Sequence, residues 1–166
     1  MRRVSIGGTL GLLAISLAAC GGSSTKSASD QTIQRQADLW SINQLEKNFH
    51  KATSKKDIDL MMSLWAPQAT FTTKPGQTLT GKKQIRRFWV AAPAFRRGNR
   101  WVSDTAAYKI RITVNGDRGT LHFECHYIDS KTKKLGPVTA ADQQVARING
   151  SWLVTDMVGG SATLTP

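Results

Sequence analysis

Tyr108-Lys109-Ile110-Arg111-Ile112-Thr113-Val114-Asn115-Gly116-Asp117-Arg118-Gly119-Thr120-Leu121-His122-Phe123-Glu124-Cys125 is the stretch whose reading decides the fold. Apolar and polar residues alternate on both sides of Asn115-Gly116, the period of a half-buried strand. Asn-Gly accepts the left-handed backbone of a tight turn, so the two runs form a hairpin. A two-residue turn there sets Ile110 opposite Leu121 and Tyr108 opposite Phe123. With Ile112 and Cys125 these residues share one face, and Lys109, Arg111, His122 and Glu124 share the other. A slip of one residue would mix the faces. Downstream, the polar stretch Asp129 to Pro137 leads to a second hairpin at Asn149-Gly150, pairing Val145 with Val154 and Arg147 with Trp152.

Upstream of Trp101 the period is helical. Leu39, Ile42, Leu45, Phe49 and Ala52 form one apolar helix face between about Gln31 and Ser54. Asp57 caps a second helix running through Trp65 and stopped by Pro67. Phe71 to Leu79 reads as a short strand and a Pro75-Gly76 turn. Thr80 caps a third helix, with Ile85, Phe88 and Trp89 on one side and Pro93 at its end. Three helices followed by an antiparallel meander of about four long strands predict an α+β domain, the helices covering one face of a bent sheet.

The run Asp57-Ile58-Asp59-Leu60-Met61-Met62-Ser63-Leu64-Trp65-Ala66-Pro67-Gln68-Ala69-Thr70-Phe71 resembles the SnoaL-like branch of the nuclear transport factor 2-like superfamily. So do Leu79-Thr80-Gly81-Lys82-Lys83-Gln84-Ile85, Phe88-Trp89 and the ending Ile148-Asn149-Gly150-Ser151-Trp152-Leu153-Val154. The likeness spans residues 31–166. It implies a cone: three N-terminal helices packed on a strongly bent antiparallel sheet, with an apolar pocket at the wide end. Trp65, Phe71, Trp89, Tyr108, Phe123, Tyr127 and Trp152, with Gln143, are the expected lining. The family holds ketosteroid isomerases, polyketide cyclases, dehydratases and many non-enzymes, so chemistry has to be found in the chain itself. In the isomerases an Asp moves the proton and a Tyr steadies the enolate oxygen. The matching positions here are Thr73 and Phe49, neither of which can do that work. The carboxylate common in the family's Ala-Pro-Asp-Ala turn is replaced by Gln68.

Other titratable groups offer alternatives. Asp156 falls on the side of Trp152 and Val154, opposite Gln143, where burial would raise its pKa toward that of a proton-transfer group. A rim aspartate paired with a cation is the plainer reading. His122, Glu124 and His126 alternate on one strand, but the two histidines lie about 13 Å apart at ~3.3 Å per residue. Ligand nitrogens on one tetrahedral ion lie about 3.3 Å apart, so no metal site is expected and the three belong to an outer polar face or a dimer contact. Cys125 is an inward, inert thiol. No cofactor motif appears.

The N-terminus carries a different message. Arg2-Arg3, an apolar run from Ile6 to Ala19, and Leu17-Ala18-Ala19-Cys20 make a secretory signal whose ending resembles the lipobox of bacterial lipoproteins. That resemblance implies cleavage of residues 1–19, acylation of Cys20, and anchoring to the outer face of the cytoplasmic membrane, or to the outer membrane in a Gram-negative source. An ordinary signal peptide with a chance cysteine is the alternative. Residues 20–30 are Gly/Ser-rich and read as a flexible tether spanning roughly 17 Å.

The formal net charge of the 166-residue chain is +12. Lys82, Lys83, Arg86, Arg87, Arg96, Arg97 and Arg100 follow one another with no acid between them, either a solvated helix face or a contact for anionic lipid or cell-wall polymer. Export and the absence of a stacking platform argue against nucleic acid. Three functions are therefore expected in order: a lipid-anchored extracytoplasmic domain binding a small apolar ligand or serving the envelope as an accessory; an acid–base enzyme using Asp156; and a structural module, a homodimer through its sheet, with a basic surface.

Overall fold

The computed structural model describes residues 27–73, 76–103 and 108–161. The signal, Cys20, most of the tether and Pro75 lie outside them. So does the side chain of Tyr108.

Helix α1 runs from Ala28 to Lys55. A capping box starts it: the Asp30 N–H donates to Ser27 Oγ (3.1 Å), and the Ser27 N–H donates to Asp30 Oδ2 (3.2 Å). It ends at Lys56, whose left-handed φ of 59° is an unusual choice without glycine. The Lys56 ammonium compensates by donating to the Trp101 carbonyl at 2.7 Å. Asp57 then caps α2 (Ile58–Ser63), accepting from the Leu60 N–H at 2.9 Å.

The second helix is shorter than expected. Trp65 opens strand β1 (Trp65–Thr73) instead of closing α2. The cause is tertiary: the Leu64 carbonyl accepts from the Val154 N–H (2.8 Å), and Trp65 pairs with Val154. Pro67 stops no helix. It sits between Trp65 and Thr70, where the pairing register shifts and a missing donor costs nothing.

Strand β2 (Thr78–Thr80), helix α3 (Gly81–Ala91) and a 3-10 turn (Pro93–Phe95) follow. Then come β3 (Trp101–Val102), β4 (Tyr108–Asn115), β5 (Arg118–Asp129), β6 (Leu135–Ile148) and β7 (Ser151–Ser161). The sheet order is β2-β1-β7-β6-β5-β3, with β4 also on β5. β1 runs parallel to β7, so the sheet is mixed rather than wholly antiparallel.

The hairpin turn is centred one residue later than expected. Asn115 pairs with Arg118, so Ile112, not Ile110, faces Leu121. This displaces the ladder by two residues, which leaves the faces sorted as read: Leu121, Phe123, Cys125 and Tyr127 are all buried. A bulge at Lys109, with φ 55°, then sets Tyr108 against Glu124 rather than Phe123.

Further register shifts occur between His126 and Ile128 and between Gln144 and Val145. Extra residues bend a strand and raise its twist. Three bulges along neighbouring strands are what curl this sheet around α1. At Gly119 a Cβ would stand 2.5 Å from the Thr113 carbonyl oxygen and 3.2 Å from Ile42 Cδ1 on α1.

Candidate functional site

Of three successive inward-facing β6–β7 pairs, only the last is made of small residues. Val145 faces Val154, Gln143 faces Met157, and Ala141 faces Gly159. The first two pairs fill the space beneath α1. The third leaves it empty, and a cavity of about 420 Å³ opens over Ala141 and Gly159.

Its walls are aromatic. Phe49 enters from α1, Phe71 from β1, Phe88 and Trp89 from α3, Trp101 from β3, and Phe123 and Tyr127 from β5. The amphipathic spacing of α3 turns Phe88 and Trp89 inward while its basic residues face water. Trp89 stacks on Phe71 with centroids 5.7 Å apart and an interplanar angle of 2°. Phe49 meets Trp89 and Phe123 edge-on, each at 5.4 Å. Such contacts add about 0.5–1.5 kcal/mol per pair beyond burial. Ala92, Pro93 and Ala94 form the lip.

No lining residue carries a formal charge. Burial pushes the Tyr127 phenol well above its ordinary value and the neighbouring Cys125 thiol up to about 12. Neither is an ionised base or nucleophile near neutral pH. Thr73 lines the cavity but donates its hydroxyl to the Gln77 carbonyl at 3.3 Å. The Trp89 indole N–H is buried with no hydrogen-bond partner among the described residues. The chemistry offered is apolar contact plus one or two neutral polar groups, as in many small-molecule pockets of this size.

Of the residues expected to line it, Phe71, Trp89, Phe123 and Tyr127 do. Trp65, Gln143 and Trp152 are buried elsewhere in the core, away from the lining. The Gln143 amide lies 3.6 Å from the Met157 sulfur.

Asp156 is displaced. Val145 pairs with Val154 but Gln144 pairs with Asp156, so Thr155 is the extra residue of a bulge. That residue turns Asp156 away from the cavity, where it accepts a hydrogen bond from the Thr70 hydroxyl, and brings Met157 inward. The spacing of the apolar residues carried the signal: Trp152 to Val154 is two, but Val154 to Met157 is three.

His122 and Glu124 take separate partners on the outer face. His122 Nδ1 is 2.6 Å from Asp142 Oδ1, and Glu124 Oε1 is 3.5 Å from Lys109 Nζ. His126 Nε2 lies 3.6 Å from Glu124 Oε2. No group of three such residues is placed to hold a metal among the described residues.

Two of the seven cations between Lys82 and Arg100 are engaged. Arg86 meets Asp59 at 2.7 Å, and Arg100 grips Asp129 through two N–H groups at 3.0 and 2.8 Å. Lys82, Lys83, Arg87, Arg96 and Arg97 pair with no carboxylate among the described residues.

Two charged clusters on α1 escaped the sequence reading. Asp38 is 4 % exposed and accepts from Arg147 Nη2 (2.5 Å), Gln34 (3.0 Å) and the Trp152 indole (3.3 Å). Burial raises its pKa, but these hydrogen bonds and the guanidinium charge outweigh burial and hold it below the ordinary value. Arg147 also binds Asp117 at 2.9 Å and lies over the Trp152 ring at 5.0 Å. Glu46 and His50, one turn apart and both buried, meet at 2.8 Å. Asp38, Ile42, Glu46 and His50 step by four along the helix, a spacing present in the sequence.

The sequence pattern of the SnoaL-like domain family matches residues 47–153. No curated protein matches. Among solved structures, a nuclear transport factor 2-like protein with a cystatin-like fold from Novosphingobium aromaticivorans superposes with a TM-score of 0.69 at 13 % identity, covering 84 % of this chain and 92 % of its own. A hexachlorocyclohexane dehydrochlorinase, LinA-type3, from Novosphingobium barchaimii gives 0.66 at 15 %, covering 81 % and 93 %. A Mycobacterium tuberculosis protein of unknown function gives 0.66 at 12 %, covering 84 % and 80 %. At such identities the likeness establishes architecture: an α+β nuclear transport factor 2-like fold, with helices against a curved, open, mixed sheet. With the pattern running from α1 into β7, the chain belongs to the SnoaL-like domain family.

Proposed function

We propose that this chain is a lipid-anchored, extracytoplasmic SnoaL-like domain that binds a small apolar ligand in the aromatic cavity. The observation that carries the reading is the lining: an open space of about 420 Å³ walled by seven aromatic side chains with no formal charge among them. A hollow of this kind costs dispersion contacts relative to a filled core. The small residues Ala141 and Gly159 maintain it. A catalytic reading through Asp156 has no support, because that carboxylate lies on the outer face with Thr70. The dehydrochlorinase likeness supports shared architecture and no shared chemistry.

The anchor rests on Leu17-Ala18-Ala19-Cys20, and the unpaired cations around α3 suit an anionic envelope surface. The test is titration of the soluble domain with N-phenyl-1-naphthylamine, a neutral fluorophore of two aromatic units. Saturable enhancement, abolished by Ala94→Trp at the lip, is expected. Absence of saturable binding, or binding indifferent to the blocked lip, refutes the cavity reading. Separately, Cys20→Ser should move the protein from the membrane fraction to the soluble extracytoplasmic one.

A further inference from the structure

Beside the cavity, on the outer side of Phe88, lies a second depression of about 330 Å³. Gln77 and Phe88 line both spaces, so the two adjoin. The second is floored by buried Leu79 and walled by Gln84 and Arg87. It contains a guanidinium, two carboxamides and no acid. The nearest acid of α2 along the chain, Asp59, is held by Arg86 at 2.7 Å. Arg87 itself has no hydrogen-bond or ion-pair partner among the described residues. The Gln84 side-chain oxygen accepts from the Thr80 N–H at 3.1 Å, which leaves its NH₂ group as the free end. The depression offers guanidinium and carboxamide N–H donors with no carboxylate, beside a cavity that offers mainly apolar contact.

Resting on the cavity reading, we propose that the ligand is an anionic amphiphile: an apolar body among Phe49, Phe71 and Trp89, and a carboxylate, sulfonate or phosphate head bound by Arg87 and Gln84 across Phe88. A guanidinium forks two parallel N–H groups onto such a head, and charge-assisted hydrogen bonds are about twice as strong as neutral ones. Lys82, Lys83, Arg96 and Arg97, close by in the chain, also lack carboxylate partners among the described residues, and their summed field draws anions toward the mouth.

The experiment compares 1-anilinonaphthalene-8-sulfonate with N-phenyl-1-naphthylamine, which has the same rings and no sulfonate. The sulfonate is expected to bind about tenfold more tightly, the yield of one charge-assisted contact at an exposed site. Arg87→Gln removes that advantage and leaves the neutral probe unchanged, and Arg87→Lys restores part of it. Arg97→Gln, outside the depression, leaves the ratio intact; if it lowers the ratio as much as Arg87→Gln does, a diffuse field is at work and the subsite is refuted. Equal affinities of the two probes for the native domain overturn the anion subsite and leave the cavity reading standing. Failure of both probes to bind overturns both. Decanoate below its micelle concentration reports a free acid as the source of the head, and phosphatidylglycerol vesicles report a lipid. Displacement of the sulfonate by either supports the proposal, and displacement by neither overturns it.

Discussion

Replacing Asp38 by alanine removes the acceptor that ties α1 to the β6–β7 hairpin. Three hydrogen bonds end on Asp38 Oδ1, from Arg147, Gln34 and the Trp152 indole. One is charge-assisted, worth about 1.5–3 kcal/mol net, and the neutral ones contribute about 0.5–1.5 each. Two features reduce the sum. The Arg147 side chain is 25 % exposed and retains Asp117, so it is not left as a bare buried charge. Gln34 is half-buried and finds water. A loss of about 3 kcal/mol remains, most of it from Arg147 and the stranded indole N–H. At a slope of roughly 2 kcal/mol per molar urea, the unfolding midpoint should fall by about 1.5 M. The pH dependence has a definite sign. The folded-state pKa of Asp38 is depressed, so its contribution is present above the unfolded value and lost as pH falls through the folded one. The gap between native and Asp38→Asn proteins should therefore narrow below about pH 4. A double-mutant cycle with Arg147→Met, which keeps an apolar stem over Trp152, should give a coupling of about 1–2 kcal/mol. A coupling under about 0.5 kcal/mol, or a midpoint unmoved by Asp38→Ala, would show that the cluster is a surface ornament and not the latch on α1.

Two further outcomes are expected. Gly119→Ala places a methyl group 2.5 Å from the Thr113 carbonyl oxygen and against Ile42 and Val145, so the β4–β5 hairpin and α1 must separate. Overpacking of this kind costs about 1–3 kcal/mol, read as a lower denaturation midpoint, and a neutral effect would disprove the close approach. Cys125 is 1 % exposed and its thiol is pushed up to about 12. Iodoacetamide at pH 8 should leave it unmodified in the folded domain and label it fully in urea, while rapid labelling of the folded protein would contradict its burial.

Much of the architecture was legible because burial leaves a period in the sequence. Alternation along Leu121, Phe123 and Cys125 marked β5 and its inward face, and that face survived a two-residue error in the turn because the pleat repeats every two residues. Asp57, Asn149-Gly150 and the α3 face were legible for the same local reasons. Four of the cavity's aromatic residues were expected from strand and helix faces taken together with the family resemblance.

What stayed hidden depends on distant partners. Trp65 continues the apolar pattern of α2 and could serve either element; only the pairing of Leu64 and Trp65 with Val154 commits it to a strand. Asp156 lies inward in an unbroken ladder and outward after the bulge at Thr155, and one inserted residue reverses every side chain beyond it. Asp38, Glu46 and His50 look like solvated residues of α1 until the sheet that buries them supplies or withholds partners. The sequence by itself determined the elements, their inward faces and the aromatic supply, because those follow from local period and composition. The tertiary structure alone decided where the space lies and which polar groups reach it, because bulges and strand partners set position, and no local pattern encodes a contact between residues as far apart as Asp38 and Arg147.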